Sequence, residues 1–136
     1  MKIVYSDPKT GRTAQTEVQA ERSAMLLNYR INDTIDGALI GMQGYKLKIT
    51  GGSDKSGFPL VKGIGGAIKT SVLRKISNSG KSKGMHERLT VRGSTISADT
   101  EQINTVIVEY GASPSVNELF QVKEKPAAES KKEKAK

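Results

Sequence analysis

Hydrophobic and polar positions alternate most cleanly over Tyr45–Thr50, where Tyr45, Leu47 and Ile49 interleave with Lys46, Lys48 and Thr50. A period of two predicts a strand with one face in a core and the two cations on the other face, about 7 Å apart. Lys2–Tyr5 and Arg12–Val18 predict two shorter strands, joined through Ser6–Gly11, where Pro8 and Gly11 supply turn chemistry. Ala14, Thr16 and Val18 share one face of the second strand, against Gln15 and Glu17. In Ile68–Ile76 the positions of Ile68, Val72 and Ile76 fit either a helix or alternation, and the β-branched residues favour a strand. Leu89–Arg92, Thr95–Ala98 and Ile103–Tyr110 predict three more strands, separated by Gly93 and by Asp99–Glu101.

Between these runs the pattern is less regular. Glu21–Tyr29, with Ala24, Met25, Leu26 and Leu27, fits a short helix or a buried crossing segment. Asn32–Thr34 fits the cap of a short helix running toward Leu39, with Gly41 ending it. Gly51–Pro59 predicts a loop containing three glycines, and Ser77–Gly84 a polar, mobile connection. About six short strands at this spacing predict an all-β, mainly β domain, a small barrel or sandwich with minor helix. Residues 1–120 are expected to form one domain. Residues 121–136 are Lys, Glu, Ala and Ser with one Pro, and are expected to be a charged, disordered tail.

Composition narrows the chemistry. With no Trp and two Phe the core is short of large anchors. The absence of Cys excludes disulfides, thiolate metal sites and a Cys nucleophile. Met1–Asp7 has no long apolar run behind its charge, so no secretory leader is expected, and no stretch suits a membrane span. Asn32–Thr34 matches a glycosylation acceptor, which carries no weight without a leader.

Charge is the stronger signal. The net charge is +8, but the excess is focused. Gly44–Arg92 holds eleven cations, Lys46, Lys48, Lys55, Lys62, Lys69, Arg74, Lys75, Lys81, Lys83, Arg88 and Arg92, against Asp54 and Glu87. Residues 1–43 balance to zero, and residues 93–120 hold four acids and no base. A focused positive field attracts a polyanion, and phosphate contacts supply much of the affinity for nucleic acid. Arg74, Arg88 and Arg92 suit bidentate phosphate contacts, while the lysines act as point charges.

Competing motifs fail on their own terms. Gly63-Ile-Gly-Gly-Ala-Ile-Lys69-Thr70 resembles a nucleotide-binding P-loop, but that pattern needs Gly before the Lys, and Ile68 stands there. His86 is the single histidine and has only Glu87 beside it, which in a strand points to the other face. Asp33, Asp36 and Asp54 match no metal-binding loop. The glycines after Ile49 admit two readings, a turn or a place where backbone approaches phosphate beside Lys55. Single-strand binding rests on exposed aromatic platforms. Tyr5, Tyr45, Tyr110 and Phe58 are mostly needed for the core, so folded, largely double-helical RNA is the better fit.

Several of these stretches coincide with one family. Gly44-Tyr-Lys-Leu-Lys-Ile-Thr-Gly-Gly-Ser-Asp-Lys-Ser-Gly-Phe-Pro-Leu60 resembles the signature of ribosomal protein S6e, a small-subunit family shared by archaea and eukaryotes. Thr90–Asp99 followed by Ile103–Gly111 is similar to its second signature, and Met1–Gly11 to its archaeal form. The resemblance spans roughly residues 1–120. It implies a β-barrel bound to small-subunit ribosomal RNA beside neighbouring ribosomal proteins in the cytoplasmic ribosome. It also implies no catalysis, no cofactor, no small-molecule substrate and no membrane. Ser77–Arg88 is poorer in arginine than the family pattern, and the long phosphorylated helix of eukaryotic members is not expected. The alternative functions are an RNA-binding translational regulator or an RNA-processing factor. Either asks for a convergent acid–base or metal constellation, and the sequence offers none.

Overall fold

Alternation builds the main sheet. In β1 (Lys2–Ser6) Ile3 and Tyr5 are buried, and in β4 (Lys46–Asp54) Leu47 and Ile49 are buried while Lys46, Lys48 and Thr50 are exposed. In β7 (Thr100–Glu109) Ile103, Thr105 and Ile107 complete the same face. The computed structural model describes residues 1–111, so the boundary at residue 120 and the tail 121–136 lie outside the described residues.

The remaining elements are β2 (Thr13–Glu17), α1 (Ala20–Met25), β3 (Thr34–Asp36), β5 (Lys69–Lys75) and β6 (His86–Arg92). Five strands form one sheet in the order β2-β1-β7-β4-β3. β1 and β7 are parallel, with Ile3 opposite Ile103 and Tyr5 opposite Thr105, and the other neighbours are antiparallel. β5 and β6 pair only with each other, as a second sheet. The mainly β class holds. The strands do not close into a barrel: β2 and β3 remain edges, and β5 and β6 form the separate hairpin.

Four expectations shift locally. Gly51–Asp54 is not loop but the end of β4, paired with β7 through register shifts at Ile49/Gly51 and Ser53/Asp54. Gly52 is needed there, because a Cβ would run into the Gln102 carbonyl oxygen. Thr95–Ala98 is not a strand: Thr95 makes one bridge with Arg30, and Ile96 turns into the core. Thr100 and Glu101 open β7 rather than precede it. The helical cap is Asp36, not Asn32–Thr34, since Asn32 has φ 82° and Thr34 starts β3. The Asp36 carboxylate accepts from Ala38 N at 3.0 Å and starts a 3₁₀ turn, Gly37–Ile40, that Gly41 ends at φ 86°.

The core lies on one face of the five-stranded sheet. Leu26, which ends α1, packs there with Ile31, Ile35, Met42, Tyr45, Leu60 and Ile96. The burial of these side chains is the main stabilising term.

Candidate nucleic-acid interface

From residue 61 to residue 90 no residue is fully buried. Those thirty residues hold seven cations and one acid, Glu87. They include β5, most of β6 and the turn between them, and Ile68, Leu73, Ile76, Met85 and Leu89 all stand exposed. A hairpin without a third strand or a core is marginally stable in water. This one is therefore an arm held at its root and open along its length.

Register fixes the faces of the arm. Residues paired directly across an antiparallel ladder lie on one side. Lys69, Leu73 and Lys75 share a face with Arg92, Arg88 and His86, their respective partners. Val72 and Arg74 lie on the other with Leu89 and Glu87. Lys69, Lys75 and Arg88 thus make one basic face, and Lys81 and Lys83 extend the charge into the exposed turn. His86 faces Lys75, an arrangement without a carboxylate to orient it as a base.

At the root one cation, Arg92, is employed inside the protein, and a second, the exposed Lys69, leans on a ring. Arg92 Nε donates to Asp54 at 3.1 Å, Nη2 to Asp99 at 2.9 Å and Nη1 to the Ala67 carbonyl at 3.1 Å. Its side chain is 17% exposed. The hydrogen bonds to Asp99 and Asp54 raise its pKa further. Burial pushes the Asp54 carboxyl up, but the amide of Phe58, Arg92 and the amide of Ser56 outweigh it and hold the group below its usual range. Lys69 Nζ lies 4.2 Å from the centre of the Phe58 ring, a cation–π contact that ties β5 to the turn after β4.

The other predicted cations lie on the body. Lys46 and Lys48 share the outer face of β4, but Lys46 is paired with Glu109 at 2.8 Å, and that hydrogen bond raises its pKa. Lys48 has no ion pair among the described residues and stays exposed. Lys55 is exposed in the turn after β4, lining a 310 Å³ cleft with Met1, Ala24, Leu27 and Glu101. Lys62 is exposed at the arm's root. The structure therefore gathers Lys62, Lys69, Arg74, Lys75, Lys81, Lys83 and Arg88 on one arm. It sets Lys46, Lys48 and Lys55 apart and makes Arg92 a structural tie. The sequence had hidden that tie, although Asp54, a lone acid at a strand end in a basic stretch, was its one visible sign.

A family model for ribosomal protein S6e matches residues 1–121. The chain belongs to the ribosomal protein S6e family. The S6e signature Gly44–Leu60 forms β4 and the turn that follows, and the second signature runs from the end of β6 through β7. Relatives include the small ribosomal subunit protein eS6 of Methanococcus maripaludis strain C5, 48% identical over 116 residues, covering 83% of this chain and 90% of the relative. The protein of that name in Nanoarchaeum equitans is 46% identical over 114 residues, covering 84% and 85%. That of Methanocaldococcus jannaschii is 45% identical over 121 residues, covering 88% and 89%. Among the described residues of this S6e chain, no helix is long and apolar enough to cross a membrane. No group of three His, Asp or Glu among them is placed to hold a metal ion.

Proposed function

We propose that this chain is a structural constituent of the small ribosomal subunit in the cytoplasm, binding folded ribosomal RNA chiefly through the β5–β6 arm and so supporting translation. The observation that carries this is the arm itself. Thirty residues of which none is fully buried, with seven cations and one acid, suit a polyanionic partner that supplies further contact. The relatives named above are small ribosomal subunit proteins, which supports placing that partner in the small subunit. Neighbouring ribosomal proteins would complete the environment of the exposed apolar residues.

The experiment is a salt titration of binding to small-subunit ribosomal RNA. If the seven arm cations each neutralise a phosphate on duplex, log K falls against log salt with a slope of about −6. A flat salt dependence would overturn the reading.

A further inference from the structure

Lys62-Gly-Ile-Gly-Gly-Ala-Ile68 leads into β5 at the root of the arm. Four of its carbonyl groups are taken up by the protein. Ile64 O accepts from Ser94 N at 2.7 Å, Gly66 O from Thr95 N at 3.2 Å, Ala67 O from Arg92 Nη1 at 3.1 Å and Ile68 O from Gly93 N at 2.8 Å. Gly93 permits this approach, since a Cβ there would collide with Gly66 O. The amides are different. Among the described residues, the N–H groups of Gly63, Gly65, Gly66 and Ala67 reach no protein acceptor. Ile64 N donates to Val61 O at 3.3 Å, so the loop's backbone is fixed at these points and the four other donors are left over.

Gly66 has φ 80°, which accounts for a glycine. Gly63 and Gly65 have no such reason. Neither has a positive φ, and a Cβ at either would meet nothing within 4 Å. A glycine of this kind costs backbone entropy with no return inside the chain, and commonly marks a place where another molecule approaches the backbone. Both are exposed, and Lys62 and Lys69 stand at the two ends of the loop.

We propose that residues 62–69 form a cradle for one phosphodiester of the bound RNA. The amides of Gly63, Gly65, Gly66 and Ala67 donate to its non-bridging oxygens, and Lys62 supplies charge. Successive unpaired amides make concave anion sites of this type. The ligand is a backbone phosphate and not a nucleoside triphosphate, because Ile68 occupies the position that a P-loop needs as glycine. The inference rests on the RNA-binding reading and assigns one of its contacts.

The test compares Gly63→Ala/Gly65→Ala and Gly63→Leu/Gly65→Leu with Lys75→Gln/Arg88→Gln, using small-subunit ribosomal RNA transcribed in vitro. Both glycine pairs should melt at or slightly above the wild-type temperature. They should bind about 5-fold and about 30-fold more weakly, as side chains screen the amides. Their salt slope should equal that of the wild type, because no charge is lost, whereas the charge pair should flatten it by about 2. Should the leucine pair melt lower, the alanine pair decides. Wild-type affinity in a folded glycine pair, beside weakened binding in the charge pair, overturns the cradle and leaves the RNA reading standing. Salt-independent binding by the wild type overturns both.

Discussion

Arg92 and Asp54 meet side chain to side chain at 3.1 Å across 38 residues of sequence, joining the end of β6 to the end of β4. With Asp99 and the Ala67 carbonyl as further partners, the guanidinium is the clamp at the root of the arm. Lysine offers neither the fork nor the second and third donors in the same plane. Arg92→Lys should therefore lower Tm by roughly 5 °C or more in a thermal melt. Arg92→Gln should do the same and leave the salt slope of RNA binding unchanged, since that charge is already neutralised within the protein. A large drop in slope with an unchanged Tm would show that Arg92 faces RNA.

Tyr110 donates to the buried Asp7 carboxylate at 2.5 Å, linking the turn after β1 to the chain beyond β7. That bond, with others from Thr10 and Lys9 N, holds Asp7 below its usual range, while Asp7 pushes Tyr110 up to about 12. The two ends of the pH scale respond with opposite signs. Asp7 has a depressed folded pKa, so its stabilisation is present above the unfolded value, about 3.9, and fades as pH falls through the folded one. Tyr110 has a raised folded pKa, so its share is complete below about 10 and is lost between about 10 and 12. Tyr110→Phe should remove the alkaline loss and shrink the acid one in chemical denaturation followed against pH.

Removing three arm charges together, Arg74→Gln/Lys75→Gln/Arg88→Gln, should reduce the salt slope of ribosomal RNA binding by about 3. The same variant should melt within about 2 °C of the wild type, since these side chains are exposed and outside the core. A matching loss of stability would mean that the arm's charges serve the fold.

Two substitutions on β4 should separate packing from approach. Leu47→Ala removes a fully buried side chain and should cost about 2–5 kcal/mol by urea denaturation. Gly52→Ala adds one methyl group yet should also destabilise, because the Gln102 carbonyl occupies the space, and β4 must move off β7. Gly51→Ala, one residue earlier with open space at its Cβ, should be tolerated.

What the sequence disclosed follows the reach of its signals. Alternation over Tyr45–Thr50 and Lys2–Tyr5 reports burial on one face, so those strands and their buried residues were legible. The extension of β4 through Gly51–Asp54 was not, because its glycines carry no hydrophobic pattern and the pairing with β7 is a property of a distant segment. Thr95–Ala98 has strand composition, but Ile96 is buried in the core with its amide on the Tyr29 carbonyl, and only Thr95 makes a bridge. At the candidate interface, charge density pointed to the arm. It could not separate Lys75, exposed on the hairpin, from Lys46 and Arg92, which face Glu109, Asp54 and Asp99. Sequence counts cations, whereas pairing is decided in three dimensions.

The strand at the centre of the five, β7, is also the last one the ribosome makes. Until Thr100–Glu109 has emerged, β1 with β2 and β3 with β4 are two loose hairpins with nothing between them. Closing the parallel β1–β7 seam then spans almost the whole domain, a loop whose entropy is met late. The cationic arm is thus synthesised before the central strand that joins the two halves of its body, and a nascent chain halted short of residue 100 would present bare charge to nearby RNA with no assembled sheet behind it.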